Sequence, residues 1–251
     1  MKKAEILAIA GLPRFRHGDD VAAAITAALA KQCRPADDDI LVVSHKILSK
    51  AQGRVVSLAS LTPSPEARQL AEATGKEPSF AEAVLRESRS IVRHRPGVII
   101  AEHRLGMVMA NAGIDRSNVP GTGDLVLMLP EDPDGDAEAI RAHLHRHFGA
   151  SIGVVIADSA GRAWRNGVVG MAIGAAGLPA LVDLRGQADL EGRPLEVTEV
   201  GFADQIASAA HLIMGEADEA CPVVLIRGLS WRAPDRPAAD LIRDPAMDMF
   251  R

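Results

Sequence analysis

The chain has no tyrosine, five phenylalanines and two tryptophans among 251 residues. So few rings argue against an RNA-binding surface, where bases stack on successive aromatic side chains. Cysteine is nearly absent too. Cys33 and Cys221 are isolated thiols with no CxxC spacing, which speaks against a disulfide scaffold or a zinc site. Positive charge is not in excess: 28 Lys and Arg face 33 Asp and Glu, a net charge of −5. Neither nucleic acid nor an anionic membrane is therefore favoured as a partner. No apolar run approaches the roughly 18–20 residues of a membrane span. The start, Met1-Lys-Lys-Ala-Glu-Ile-Leu-Ala-Ile-Ala10, carries an acid in a very short apolar run and reads as a first strand, not a signal peptide. A cytoplasmic protein is the expectation. Phosphate-loop signatures are missing as well: there is no Walker A sequence and no GxGxxG after a strand. The nearest approach, Gly121-Thr-Gly-Asp124, reads as a turn into a strand. Any nucleotide must be held by a non-standard site.

What is present is enough for one large domain or two intertwined ones. Continuous β-branched runs predict strands at Ile6–Ala10, Ile40–Ser44, Val98–Ala101, Leu125–Leu129, Ile152–Ala157, Leu195–Val197 and Val223–Ile226. Helical periodicity predicts Asp20–Cys33, Pro65–Thr74, Ser79–Ser88, Asp136–Phe148 and Phe202–Met214, with Gly149 and Gly215 as stops. Helices and strands mix without strict alternation, so the expected class is α+β (mixed α/β) rather than a clean doubly wound sheet. Val169–Leu190 is rich in glycine and alanine, and a flexible tail is expected from about Trp231, where prolines break the periodicity.

The most informative stretch is Ile156-Ala-Asp-Ser-Ala-Gly-Arg-Ala-Trp-Arg-Asn-Gly167. An apolar run delivers Asp158 and Ser159 at its end, hard oxygen ligands of the kind Mg²⁺ or Mn²⁺ prefers. Arg162 and Arg165 beside them suit phosphate or carboxylate oxygens, although a strand-end Asp-Ser is equally an ordinary turn or cap. The arginines are equally compatible with a structural salt bridge. His143, His145 and His147 resemble a metal cluster, yet i and i+2 point to different sides of a helix, so a solvated face is the better reading. In Ser44-His-Lys-Ile-Leu-Ser-Lys50, Lys46 and Lys50 share a helical face and would meet phosphates, or simply water. Asn111-Ala-Gly-Ile-Asp-Arg-Ser-Asn118 offers one acid, Asp115, in a loop. In Leu195-Glu-Val-Thr-Glu-Val200 an acid shares a face with valine, at a sheet edge or in a site.

Taken in order, these segments resemble one family, the coenzyme F420-0:L-glutamate ligases. The resemblance begins at Gly11-Leu-Pro13 with Gly18-Asp-Asp20 and continues through Ser49-Lys-Ala-Gln-Gly-Arg54 and Glu102-His-Arg-Leu-Gly106. It then takes in Ala112–Asn118, Asp158–Gly167, Ala172–Gly177, Val197-Thr-Glu-Val200 with Ala203-Asp204, and Pro222–Gly228. It implies an intertwined two-lobed α+β ligase fold, neither P-loop nor Rossmann, in a single family domain over 1–251 without the reductase-like extension of some members. It also implies a homodimer. The implied reaction is GTP-dependent: the carboxylate of F420-0 takes the γ-phosphoryl group, and L-glutamate then displaces phosphate. Divalent Mg²⁺ or Mn²⁺ and a monovalent K⁺ accompany it. By position, the resemblance assigns Asp115 and Asp158 to a first metal and Ser159 and Glu199 to a second. It assigns Lys50, His45, Asn118 and the segment Leu12, Pro13, Arg14 and Phe15 to the nucleotide. Asp115, Asp158, Lys50 and, on chemical grounds, Arg165 make up the expected catalytic set.

Departures fall elsewhere. Val168-Val-Gly170 stands where the family has a polar Gln-Thr-Asp-like run, Arg14 where an acid is common, His45 where a small hydroxyl is common, and His103 where Asn is common. The metal set is left intact, so a relative acting on another acidic acceptor is the second reading. A nucleotide-binding module without catalysis and a metal phosphohydrolase are further alternatives.

Overall fold

The computed structural model describes residues 3–117 and 124–249. Chain order runs β1 (Glu5–Ala8), α1 (Val21–Gln32), β2 (Ile40–Ser44), α2 (His45–Ala51), β3 (Val55–Ser57), α3 (Pro65–Thr74) and α4 (Pro78–Glu87). It continues with β4 (Ser88–Arg95), β5 (Val98–His103), β6 (Val108–Ala110), β7 (Leu125–Leu127) and α5 (Pro133–Phe148). Last come β8 (Gly153–Arg162), β9 (Arg165–Ala176), β10 (Leu181–Asp183), β11 (Glu199–Gly201), α6 (Phe202–Met214) and β12 (Val223–Arg227). The class is α+β, as expected. Among the described residues no helix is long and apolar enough to cross a membrane.

The central sheet has the order β1-β12-β2-β8-β9, with β2 and β8 parallel and every other pair antiparallel. Its inner strands are continuous apolar runs because both faces are covered. On β2, Leu41 and Val43 enter one core with α1, α2 and α5, while Ile40 and Val42 enter another beneath α6. A third core lies in the segment between α2 and α5, where α3 and α4 pack on the β4-β5-β6 sheet and on the β3-β7 pair. Local chemistry sets the helix ends. Asp20 caps α1 through Ala23 N–H, Ser64 precedes Pro65 at the start of α3, and Asp132 caps α5 ahead of Pro133. This last cap starts α5 three residues earlier than the periodicity suggested.

Four expectations are corrected. The strand carrying Asp158 and Ser159 does not end there: β8 runs on to Arg162 and turns through Ala163 and Trp164 into β9. The glycine- and alanine-rich stretch begins inside β9, a twelve-residue strand. Its small residues are required by packing. A Cβ on Gly170 would overlap the Ala207 carbonyl of α6, and one on Gly174 would overlap the Pro133 carbonyl of α5. Leu195–Val197 forms no strand; the strand starts at Glu199, and Val197 lies exposed with no layer to cover it. The segment from Trp231 is packed, not a loose tail: Trp231 meets Phe202, Ala238 is buried, and Arg236 N–H bonds the Leu178 carbonyl.

β9 is a sheet edge, and the helices cap it with side chains. Asp204 Oδ1 accepts from Ala172 N–H at 2.9 Å, Asp134 Oδ1 accepts from Ala175 N–H at 2.7 Å, and Ser208 donates to the Gly170 carbonyl at 2.7 Å. An edge so occupied is closed to strand addition.

Candidate active site

The parallel pairing of β2 with β8 sets Ser44 beside Ala157, so the chain enters α2 next to the position where Asp158 emerges. Ligand sites commonly lie beyond the carboxyl ends of such strands. Asp158 is half-buried and its Oδ1 accepts the Ser159 N–H at 2.7 Å. The His45 Nε2 stands 3.2 Å from the same oxygen, while its Nδ1 is 3.2 Å from the Ser49 hydroxyl. The His45 side chain is thus buried behind Asp158.

One residue further along α2, Lys46 Nζ lies 2.7 Å from Asp115 Oδ2 and donates to the Ser117 hydroxyl at 3.0 Å. Ser117 in turn donates to Asp115 from both its amide and its hydroxyl at 2.7 Å. Asp115 reaches this position through a tight turn in which Asn111, Ala112 and Gly113 all take positive φ, followed by paired backbone bonds to Leu127. Burial pushes the Asp115 carboxyl up, but Lys46 and Ser117 outweigh it and hold the group below its ordinary range. It is therefore ionised at neutral pH.

Lys50 sits on the same helix four residues after Lys46. Burial lowers its pKa, and the neighbouring charges of Lys46 and Arg14 lower it further, against the pull of Asp115. Lys46, Lys50 and Arg14 thus stand close together, with Asp115 paired to Lys46. The segment bearing Arg14 is anchored at both ends of this cluster: Phe15 is buried in the first core with Leu12 beside it, and Gly18 N–H bonds the Ala51 carbonyl. Pro13 and Arg14 are left exposed between these anchors.

The structure thus brings together Asp158, His45, Asp115, Lys46, Lys50 and Arg14. Asn118 lies outside the described residues. Arg162 and Arg165 are partners at the exposed hairpin end, and neither forms an ion pair among the described residues. A buried salt bridge is excluded for them. Glu199 stands on β11 with Arg185 Nη2 3.4 Å away. Among the described residues, no three of His, Cys, Asp and Glu gather as a metal cluster. The register sends Asp158 and Ser159 to opposite faces of the sheet. Ser159 pairs with Gly170, which faces α6, whereas Asp158 pairs with Met171 on the opposite face.

Sequence reasoning missed Glu87. At the end of α4 it accepts from Arg54 at 2.7 Å and Arg104 at 3.2 Å, with His103 Nε2 at 3.4 Å. The His103 Nδ1 accepts the Leu105 N–H, which leaves Nε2 to carry the proton toward Glu87. Arg54 also bonds the Leu129 carbonyl, and Arg104 the carbonyls of Pro130 and Glu131. One carboxylate so ties the segment after α2 to the third core and to the approach to α5. The only trace in the sequence was that Arg54, His103 and Arg104 fell inside motif segments.

Comparison with known proteins places the chain in a family. The profile of the F420-0:gamma-glutamyl ligase family matches residues 11–228. This chain belongs to that family. The coenzyme F420:L-glutamate ligase of Methanopyrus kandleri is 47% identical over 243 residues, which cover 95% of this chain and 94% of the relative. That of Methanothermobacter thermautotrophicus is 45% identical over 249 residues, 98% of each chain. That of Methanocaldococcus jannaschii is 40% identical over 250 residues, 100% of this chain and 98% of the relative. Family membership extends over Asp115, Asp158, Lys50 and the Glu87 network alike, since all lie within the matched range.

Proposed function

We propose that this protein is a GTP- and divalent-metal-dependent ligase that joins L-glutamate to coenzyme F420-0 through an acyl phosphate. The observation that carries this reading is the gathering of Lys46, Lys50 and Arg14 around Asp115, with Asp158 emerging beside the start of the same helix, in a chain of this family. A carboxylate is a poor electrophile because oxide does not leave. In the proposed first step an acceptor carboxylate oxygen attacks the γ-phosphorus of GTP, the bond to the β–γ bridging oxygen breaks, and GDP departs. In the second, the glutamate amine attacks the acyl carbon and inorganic phosphate leaves with the oxygen it took from the acceptor. An amide, GDP and phosphate result, and the amine proton goes to solvent.

The residues suit this chemistry. Phosphoryl transfer needs positioning and charge neutralisation more than covalent help. Lys46, Lys50 and Arg14 supply three positive charges around the phosphates, and the lowered pKa of Lys50 rises again once an anion binds. Asp115 and Asp158 fit a divalent ion, because Mg²⁺ is commonly held by one or two carboxylates together with substrate phosphates. When bound, such an ion neutralises phosphate charge as a Lewis acid. The second ion that the resemblance assigns to Ser159 and Glu199 belongs to the proposal, and Arg185 Nη2 lies 3.4 Å from the Glu199 carboxylate. The second reading, another acid as acceptor, is motivated by Val169, which shares a strand face with Met171 next to Asp158.

Mass spectrometry of F420-0 incubated with the protein, GTP, L-glutamate and Mg²⁺ or Mn²⁺ tests the proposal. A product heavier by one or more glutamyl groups, with GDP, is expected. No added mass with F420-0, but GDP release with a different acid, would select the second reading. Lys50→Met is expected to weaken GTP binding about tenfold to hundredfold, the worth of one charge-assisted bond. Titration calorimetry with GTP measures it, and unchanged affinity would remove Lys50 from the nucleotide site. The proposed homodimer is motivated by the exposed apolar side chains of Trp164 and Val168 at the β8–β9 hairpin. Sedimentation velocity is expected to give twice the 26.5 kDa chain mass; a monomer at micromolar concentration would refute it.

A further inference from the structure

A cavity of about 550 Å³ lies at the free edge of β9 and takes no part in the chemistry described above. Its volume is that of a site for a medium-sized organic molecule. Leu105 and Met107 from the β5–β6 turn, Met171 and Ile173 from β9, and Leu241 and Ile242 from the C-terminal segment form its apolar walls. The two methionines are adaptable surfaces against a flat ring. Its polar lining comprises Asp132, Asp134, Asp204, Asp248 and Arg243. Asp132, Asp134 and Asp204 each already accept a backbone N–H, from Gly135, Ala175 and Ala172 respectively.

The sheet register fixes the position of this cavity relative to the candidate site. Met171 is the direct cross-strand partner of Asp158, so the two share a face with Cα atoms about 5 Å apart. β8 lies between β2 and β9 in the sheet. Asp158 therefore has His45 of α2 on one side and, through Met171, the cavity wall on the other. We infer that the cavity binds the apolar, planar ring body of the acid acceptor, with the anionic tail passing Met171 to reach Asp158. This rests on the ligase reading above and adds to it a ring site separate from the phosphate site.

Substitutions that fill the cavity from opposite walls test the inference. Val108→Trp acts from the exposed face of β6, and Ala239→Phe from the C-terminal segment. Binding of F420-0, followed by its own fluorescence, is expected to weaken at least tenfold in both variants. GTP affinity is expected to stay within twofold and the melting temperature to hold, which separates lost binding from lost structure. Two variants guard against one of them failing to fold. F420-0 affinity equal to wild type in both would overturn the inference, as would a changed oligomeric state with acceptor binding intact. Should the wild type ligate nothing, F420-0 binding by itself is the probe. Binding to wild type and loss in the variants would keep the ring site while the ligase reading fell; no binding to either would remove both.

Discussion

Asp158→Asn is expected to lower turnover on the order of 10³-fold while leaving the fold in place. The substitution keeps shape and keeps an oxygen able to accept the Ser159 N–H, which Asp158 now does at 2.7 Å. What it removes is one negative charge between His45 and the cavity wall, where the proposed divalent ion would be held. Charge stabilisation by a divalent ion is worth several kcal/mol to a phosphoryl transfer, and a loss of about 4 kcal/mol is a factor of about 10³ in rate. The melting temperature is expected to move by no more than about 4 °C, since a cost near 1 kcal/mol shifts a chain of this size by about that much. Steady-state GDP release with the acceptor and L-glutamate measures the first quantity, and thermal unfolding the second. Turnover near wild type would remove Asp158 from the reaction.

Glu87→Gln is the expected counterpart in stability. The carboxylate is pushed up by burial, but hydrogen bonds and charge from His103, Arg54 and Arg104 outweigh this and hold its pKa down at about 2. Removing its charge leaves Arg54 and Arg104 facing each other with their shared partner gone. Breaking a buried pair from one side costs about 3–5 kcal/mol, which for this chain length is a fall of about 10 °C in melting temperature. The sign of the pH dependence follows from a folded-state pKa below the ordinary value of 4.5. The stabilisation is fully present above that value and is lost as the pH falls through about 2. The gap between wild type and variant is therefore expected to be widest at neutral pH and to narrow from about pH 4.5 downward. Melting curves at pH 7 and pH 3 measure it. Equal melting temperatures at pH 7 would show that the network holds nothing together.

The elements that the sequence displayed clearly are those with one dominant physical cause. β2 and β12 read as strands because layers on both faces make every position apolar, and α1, α3 and α6 read from periodicity and caps. β4 was hidden because its residues, Ser88-Arg-Ser-Ile-Val-Arg-His-Arg95, are mostly polar and its surface faces solvent. β9 was hidden for the opposite reason: two helices press so closely on it that glycine and alanine replace the β-branched residues that mark a strand. Trp231 onward looked loose because its order comes from docking on α6 and β9, not from local periodicity.

The candidate site was legible to a different degree. Lys46 and Lys50 do share one helix, and Asp115 does meet a lysine of that pair. The separation of Asp158 from Ser159 by strand alternation could have been read only once β8 was known to continue past both. Glu87 left no local mark, because its partners at positions 54, 103 and 104 come from segments far apart in the chain.

The acyl phosphate makes a demand that no hydrolase or simple nucleotide-binding module shares. When the acceptor carboxylate is labelled with ¹⁸O and turned over with GTP and L-glutamate, one labelled oxygen must leave in the inorganic phosphate for each amide formed. Mass analysis of the released phosphate is the measurement to make. Phosphate carrying that single label is the expected result, and amide formed with wholly unlabelled phosphate would contradict the mechanism.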